Sequence, residues 1–235
     1  MRTIASWFAA LAFTGLVSYP GGVPGMPALS RSAEPEAPKE RAPRVDKTSS
    51  ASPSPLADIG PAPTVELTDA QGKPFALAKL RGKVVIVSFV FTTCGGSCPA
   101  TTFSLTRVQR ALQAAGLWSK RVEFVSISLD PSRDTPEVLT AYARNYRADL
   151  AAWHFLTGPP DRVSQVIAAW GMWARPGPSG TLDHPSRIFL VDPSGRQREI
   201  YNLEFLKPAL VLQDVQSILA ETEAESGPAN EPTVR

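Results

Sequence analysis

The run Val-Val-Ile-Val-Ser-Phe-Val-Phe at residues 84–91 constrains this chain most. It is apolar without alternation and rich in β-branched and aromatic residues, the pattern of a strand covered on both faces. Such a strand needs a layer above it and a layer below it. A second run, Val-Glu-Phe-Val-Ser-Ile-Ser-Leu at 122–129, reads the same way. Helical segments are expected at 99–115, 135–146, 161–170 and 207–220. Pro99 suits a first turn and Gly116 a C-cap. Thr135 is a natural N-cap, with Pro136 at the first helical position and Glu137 complementing the positive helix end. Short strands are expected at 153–156, 187–191 and 197–201, the last two joined by the turn Asp192-Pro193-Ser194-Gly195. Residues 65–77 read as a small hairpin around Gln71-Gly72. The expected class is α/β: a central mixed sheet flanked by helices, with an N-terminal hairpin.

The rest of the chain reads differently. Residues 1–18 hold Arg2 and a short apolar run, as in a secretory signal or an N-terminal membrane anchor. The run is shorter than the ~20 residues that span a bilayer comfortably. Either version places the domain outside the cytoplasm, on the periplasmic side of the membrane, where thiols can be oxidised. Ten of the 23 prolines fall between residues 20 and 63. The segment 19–62 is therefore expected to be a disordered Pro-rich linker. The folded domain is expected over 63–220, and 221–235 as a flexible tail.

The 235 residues carry a formal net charge of +2, which argues against a nucleic-acid partner. There are two cysteines and two histidines. Two cysteines cannot staple a scaffold, so the fold must stand on its core. Cys94 and Cys98 lie in a loop and helix start directly after the first buried strand. That position implies a helix N-terminus that lowers a cysteine pKa and favours the thiolate.

Four blocks resemble the Sco/SenC family of copper proteins. They are VSFVFTTCGGSCPATT, SISLDPSRDTPEVLTAYA, WHFLTG and LDHPSRIFLVDPSGRQREIY, in the family's order and spacing. The resemblance spans roughly residues 60–220. It implies a thioredoxin-like fold, membrane attachment on the exported side, and copper handling in cytochrome c oxidase assembly. It also implies a ligand set: Cys94, Cys98 and His184. Two departures stand out. Gly95, Gly96 and Ser97 fill the Cys-x-x-x-Cys motif where bulkier residues are common, and Pro185 follows His184.

Two soft sulfurs and an imidazole suit copper, Cu(I) above all, with one ion per chain; structural zinc wants a fourth ligand that the sequence does not offer. The plainer readings are a structural disulfide for Cys94–Cys98 and a strand-capping role for His184. His154, inside a strand, reads as a satisfied core or edge histidine. Asp183 is a candidate to orient the imidazole. Asp130 and Asp134 either organise the turn after the second strand or support the site. Trp170 and Trp173 either pack or cover the site.

Two functions follow. One is a metallochaperone that passes copper (as Cu(I) or Cu(II)) to a receiving oxidase subunit or another copper protein. The other is an enzyme, a thiol-disulfide reductase with Cys94 and Cys98 as its redox-active pair, served by a thiol reductant. The three-residue gap between the cysteines is one longer than the usual Cys-x-x-Cys, and with His184 it favours copper. A peroxidase motif is absent.

Overall fold

A computed structural model describes residues 56–177 and 180–226. The signal or anchor and most of the linker lie outside the described residues, as does the end of the tail. Among the described residues no helix is long and apolar enough to cross a membrane.

The first buried run forms β4 (Val84–Val90) and the second forms β5 (Val122–Ser128). They pair in parallel, and β5 pairs in parallel with β6 (Trp153–Thr157). On the other side of β4 lies β9 (Ile188–Val191), antiparallel, followed by β10 (Arg196–Tyr201). The hairpin β2 (Glu66–Asp69) and β3 (Pro74–Ala76) closes the far edge against β6. A two-residue strand, β1 (Gly60–Pro61), pairs with β10. The full order is β1-β10-β9-β4-β5-β6-β2-β3. This is the expected mixed sheet.

Alternation along β4 explains its unbroken apolarity. Val84 and Ile86 face one core, with Phe124, Trp153 and the helices α1 (Ser97–Ala114), α2 (Pro136–Asn145) and α4 (Pro208–Ser226). Val85, Val87 and Phe89 face the other, with Val125, Ile127 and α3 (Pro160–Ala169). Serines inside the strands are satisfied: Ser88 and Ser126 share a hydroxyl–hydroxyl bond of 2.8 Å, and the Trp153 indole N–H donates to Ser126 Oγ at 2.9 Å.

Helix ends follow the capping rules. Thr135 Oγ1 accepts the Val138 N–H at 3.4 Å, with Pro136 at N1. Gly116 takes φ 69° just past α1, a left-handed position that favours glycine. α1 begins at Ser97, two residues earlier than its proline suggests, because Pro99 sits within the first turn, where no donor is needed.

Two boundaries differ from expectation. Residues 56–62 join the domain instead of the linker. Ile59 N–H donates to Gln197 O and Ala62 N–H to Gly195 O, both at 2.9 Å. Arg196 pairs with Asp58, and Arg198 donates to the carbonyls of Leu56 and Ala57. An exposed β10 edge recruits backbone regardless of the side chains that supply it. Likewise α4 continues to Ser226, six residues beyond the expected end at 220, and Glu221 pairs with Arg198.

Candidate metal centre

The sheet topology brings together residues ninety positions apart. Cys94 and Cys98 follow the C-terminal end of β4. His184 precedes β9, the antiparallel neighbour, with Val87 opposite Phe189. One strand ends where the other begins, so both arms meet at the same pole of the sheet. Ligand sites in open α/β sheets favour this carboxyl pole.

Cys98 is buried, at 2% exposure, within the core beside Phe91. Its Sγ lies 3.8 Å from His184 Nε2. Cys94 is half-buried at the rim of an open groove lined by Phe91, Gly95, Gly96, Asp183 and His184. The Gly96 N–H points at Cys94 Sγ at 3.4 Å, and the Cys94 N–H donates to Phe91 O at 3.2 Å. Both cysteines are free thiols.

His184 is held from two directions. The edge of its ring meets the Phe91 ring at 87°, with centroids 5.6 Å apart. Its Nδ1 lies 2.9 Å from the Pro185 carbonyl oxygen. A carbonyl accepts only from N–H, so this contact places the proton on Nδ1 and leaves Nε2 as the lone-pair nitrogen facing Cys98. The Nδ1 partner is thus backbone, not the Asp183 carboxylate expected from sequence. Asp183 is exposed in the strand β8 (Leu182–Asp183), which pairs with β7 (Arg175–Pro176). The flanking ribbon sets its position.

The electrostatics also differ from the helix-end expectation. Burial pushes the Cys98 thiol up to about 12, and the neighbouring Cys94 and Asp134 act in the same direction against a lowering contact with the Phe91 backbone. Desolvation of a residue within the core outweighs a helix end that acts only over its first turn.

Asp134 is fully buried. Its carboxylate accepts the Thr92 N–H at 3.2 Å, Thr92 Oγ1–H at 2.5 Å and Ser128 Oγ–H at 2.6 Å. Burial raises its pKa, against those three bonds. It therefore ties the cysteine loop to the end of β5. Asp130 pairs with Arg133, and its N–H donates to Ser128 Oγ at 2.9 Å. Sequence reasoning missed Thr92 and Phe91 as supports; the signal was their place at the end of the apolar run, directly before the cysteines.

Trp170 is buried and meets Phe89 and Phe189 edge-on, so it packs. Trp173 is 38% exposed with the Arg175 guanidinium 4.7 Å from its ring centre. His154 is remote from the site, bonded to Glu123 at 2.7 Å.

The donors fit a soft metal in kind. The 3.8 Å between Cys98 and His184 is shorter than typical metal–sulfur and metal–nitrogen bonds laid end to end, ~2.3 and ~2.0 Å. Yet among the described residues no three His, Cys, Asp or Glu side chains are already gathered at metal-holding distance. Cys98 and His184 are in place; Cys94 stands off at the rim.

Comparison with known proteins decides the family. Residues 61–220 match SCO1/SenC, which is well over half the chain. The chain belongs to the SCO1/SenC family. It is 33% identical over 134 residues to the SCO1 protein homolog of Bacillus subtilis, covering 56% of this chain and 68% of that one. The copper-bound structure of Bradyrhizobium japonicum ScoI is 30% identical, with a TM-score of 0.58 over 66% of this chain and 97% of that one. BsSco, described as having a disulfide switch and as a member of the Sco family of cytochrome c oxidase assembly proteins, is 27% identical. Its TM-score is 0.62, over 70% of this chain and 98% of that one. The thioredoxin-like fold expected from the resemblance is the fold observed, and the SCO1/SenC match ends within α4.

Proposed function

We propose that this chain is a copper metallochaperone that holds one copper ion per chain through Cys94, Cys98 and His184. It delivers that ion to the copper site of cytochrome c oxidase during its assembly. The observation that carries the reading is the approach of His184 Nε2 to Cys98 Sγ, 3.8 Å, across two neighbouring strands. Copper bound to the related ScoI, and oxidase assembly stated for the related BsSco, support it.

Copper is cargo here and is treated as substrate. Cys98 and His184 form a prepared half-site, and Cys94 completes it by turning in from the groove rim. Gly95 and Gly96 make that movement easy, since a Cβ at Gly95 or Gly96 meets nothing closer than 4.0 Å. Loading requires a thiolate, so the buried, neutral Cys98 thiol gives up its proton as copper arrives. A site that closes only on its ion also opens to release it, as transfer demands. Residues 1–18 serve as signal or anchor on the exported side, and Asp183, Asp130 and Asp134 act behind the ligands.

A second reading is a thiol-disulfide reductase that keeps oxidase cysteines reduced, with a thiol reductant restoring Cys94 and Cys98. The free thiols and the disulfide switch described for BsSco favour it.

The test is a Cu(I) titration of the reduced full chain beside Cys94→Ser, Cys98→Ser and His184→Ala. One copper per chain is expected, with both cysteine variants crippled and the histidine variant weakened. Wild-type binding by all three variants would sink the chaperone reading. A wild type that takes up no copper yet reduces a disulfide substrate establishes the second.

A further inference from the structure

The imidazole arm is a ribbon that holds itself together but touches the sheet at few points. Arg187 Nη1 closes its base on the Gly171 carbonyl at 3.2 Å. The pairs Arg175–Asp183 and Pro176–Leu182 form its ladder, and the Gly177 N–H donates to Thr181 O at 2.8 Å. These bonds lie within the segment 171–187. They set the shape of the ribbon, not its swing relative to the cysteines.

A bond to the turn after β5 sets the swing. Arg133 Nη2 donates to the Gly180 carbonyl oxygen at 3.3 Å, while Arg133 Nε pairs with the Asp130 carboxylate. Gly180 has φ 78°, a left-handed conformation that glycine adopts freely. The Asp130 N–H rests on Ser128 Oγ, and Ser128 donates to Asp134, which holds Thr92 in the cysteine loop. One turn, residues 130–134, therefore grips both arms: Asp134 the cysteine loop, and Arg133 the ribbon four residues before His184.

We propose that Arg133 is a positioning residue for His184, docking the ribbon so that the imidazole stays over Cys98. The proposal rests on His184 being a copper ligand and deepens that reading. The planar guanidinium fork suits the task, because it serves a carboxylate and a carbonyl at once; a lysine ammonium keeps the charge but not the fork.

The test compares the full chain with Arg133→Ala, Arg133→Lys, His184→Ala and Arg133→Ala/His184→Ala. Amide hydrogen exchange on the copper-free proteins should show faster exchange at Gly177 and Asp183 in Arg133→Ala, with α1 unchanged. Cu(I) affinity should fall about 5- to 10-fold in Arg133→Ala, the size of one lost charged hydrogen bond at an exposed site. Arg133→Lys should recover part of that loss. In the His184→Ala background, removing Arg133 should cost no further affinity, because the arm it positions no longer carries a ligand. An equal loss in both backgrounds overturns the proposal, as does unchanged exchange in the ribbon. Copper binding that ignores His184→Ala is a separate failure: it removes the ligand reading, and with it any role for Arg133 toward the metal.

Discussion

The chain has two histidines, and they sit at opposite poles of the sheet in opposite chemical circumstances. His154, near the start of β6, is saturated. Its Nε2 bonds Glu123 at 2.7 Å, its ring rests on Phe75 with centroids 4.9 Å apart, and Glu123 also pairs with Lys83. His184 has its Nδ1 on a carbonyl, while its Nε2 faces a thiol at 3.8 Å, too far for a strong bond. A satisfied histidine staples strands. One whose lone pair is aimed at a buried sulfur, with a second thiol at the rim, is arranged for something that arrives.

That contrast breaks most sharply at Glu123. Its side chain is 9% exposed and serves two cationic partners. Glu123→Ala strands Lys83 and His154 at the edge of the core. A loss of about 2–4 kcal/mol is expected, toward the lower end because Lys83 is partly solvated. Urea unfolding measures it. Copper uptake by the folded fraction should be unchanged, since this cluster lies at the other end of β5. His184→Ala should do the reverse, weakening copper while leaving the unfolding midpoint nearly where it was.

The two poles should also separate by pH. Burial alone would raise Glu123, but its bonds to His154 and Lys83 outweigh this and hold it below the usual carboxylate range. A lowered folded pKa means its contribution is present above the ordinary carboxylate pKa and is lost as pH falls through the lowered value. Asp134 is shifted upward by burial. Its contribution therefore has the opposite sign: greatest at low pH and diminishing as pH rises through the raised value. Thermal midpoints measured against pH should show Glu123→Gln flattening the acid limb of the wild-type curve. Asp134→Asn should remove the opposing slope and lower the plateau, because an amide keeps one acceptor where the carboxylate used two oxygens for three bonds. An acid limb unchanged in Glu123→Gln refutes the assignment of that cluster.

The same contrast shows what sequence could disclose. Strands 84–90 and 122–128 were legible because a strand buried on both faces admits few other readings. The helix after Thr135 was legible because its cap, its proline and its acidic first turn all agree. The copper-type donors were legible only through the resemblance, since spacing alone leaves His184 as a strand cap. Three features were not legible. The pairing of residues 60–61 with β10 depends on an open sheet edge, not on side chains. The neutral state of Cys98 depends on how deeply the second residue of α1 is buried, whereas motif spacing suggested a lowered thiol. The Arg133–Gly180 bond joins segments nearly fifty residues apart through a backbone carbonyl, an acceptor with no residue signature.

Trp173 provides the smallest test and the finest one. It stands 38% exposed on the segment leading to β7, with Arg175 stacked over its ring, while Trp170 three residues earlier is buried among Phe89 and Phe189. An exposed cation–aromatic pair contributes about 0.5–1 kcal/mol. Trp173→Ala should therefore shift the unfolding midpoint barely at all, and Trp170→Ala by the ~3–5 kcal/mol of a large core truncation. If Trp173 merely decorates the ribbon, copper affinity follows its small stability effect and stays at the wild-type level. A several-fold loss of affinity without a matching loss of stability means that the stack holds Arg175, and through its pairing with Asp183 the residue next to His184, in the copper-ready position. The functional pole would then extend one further step along the ribbon.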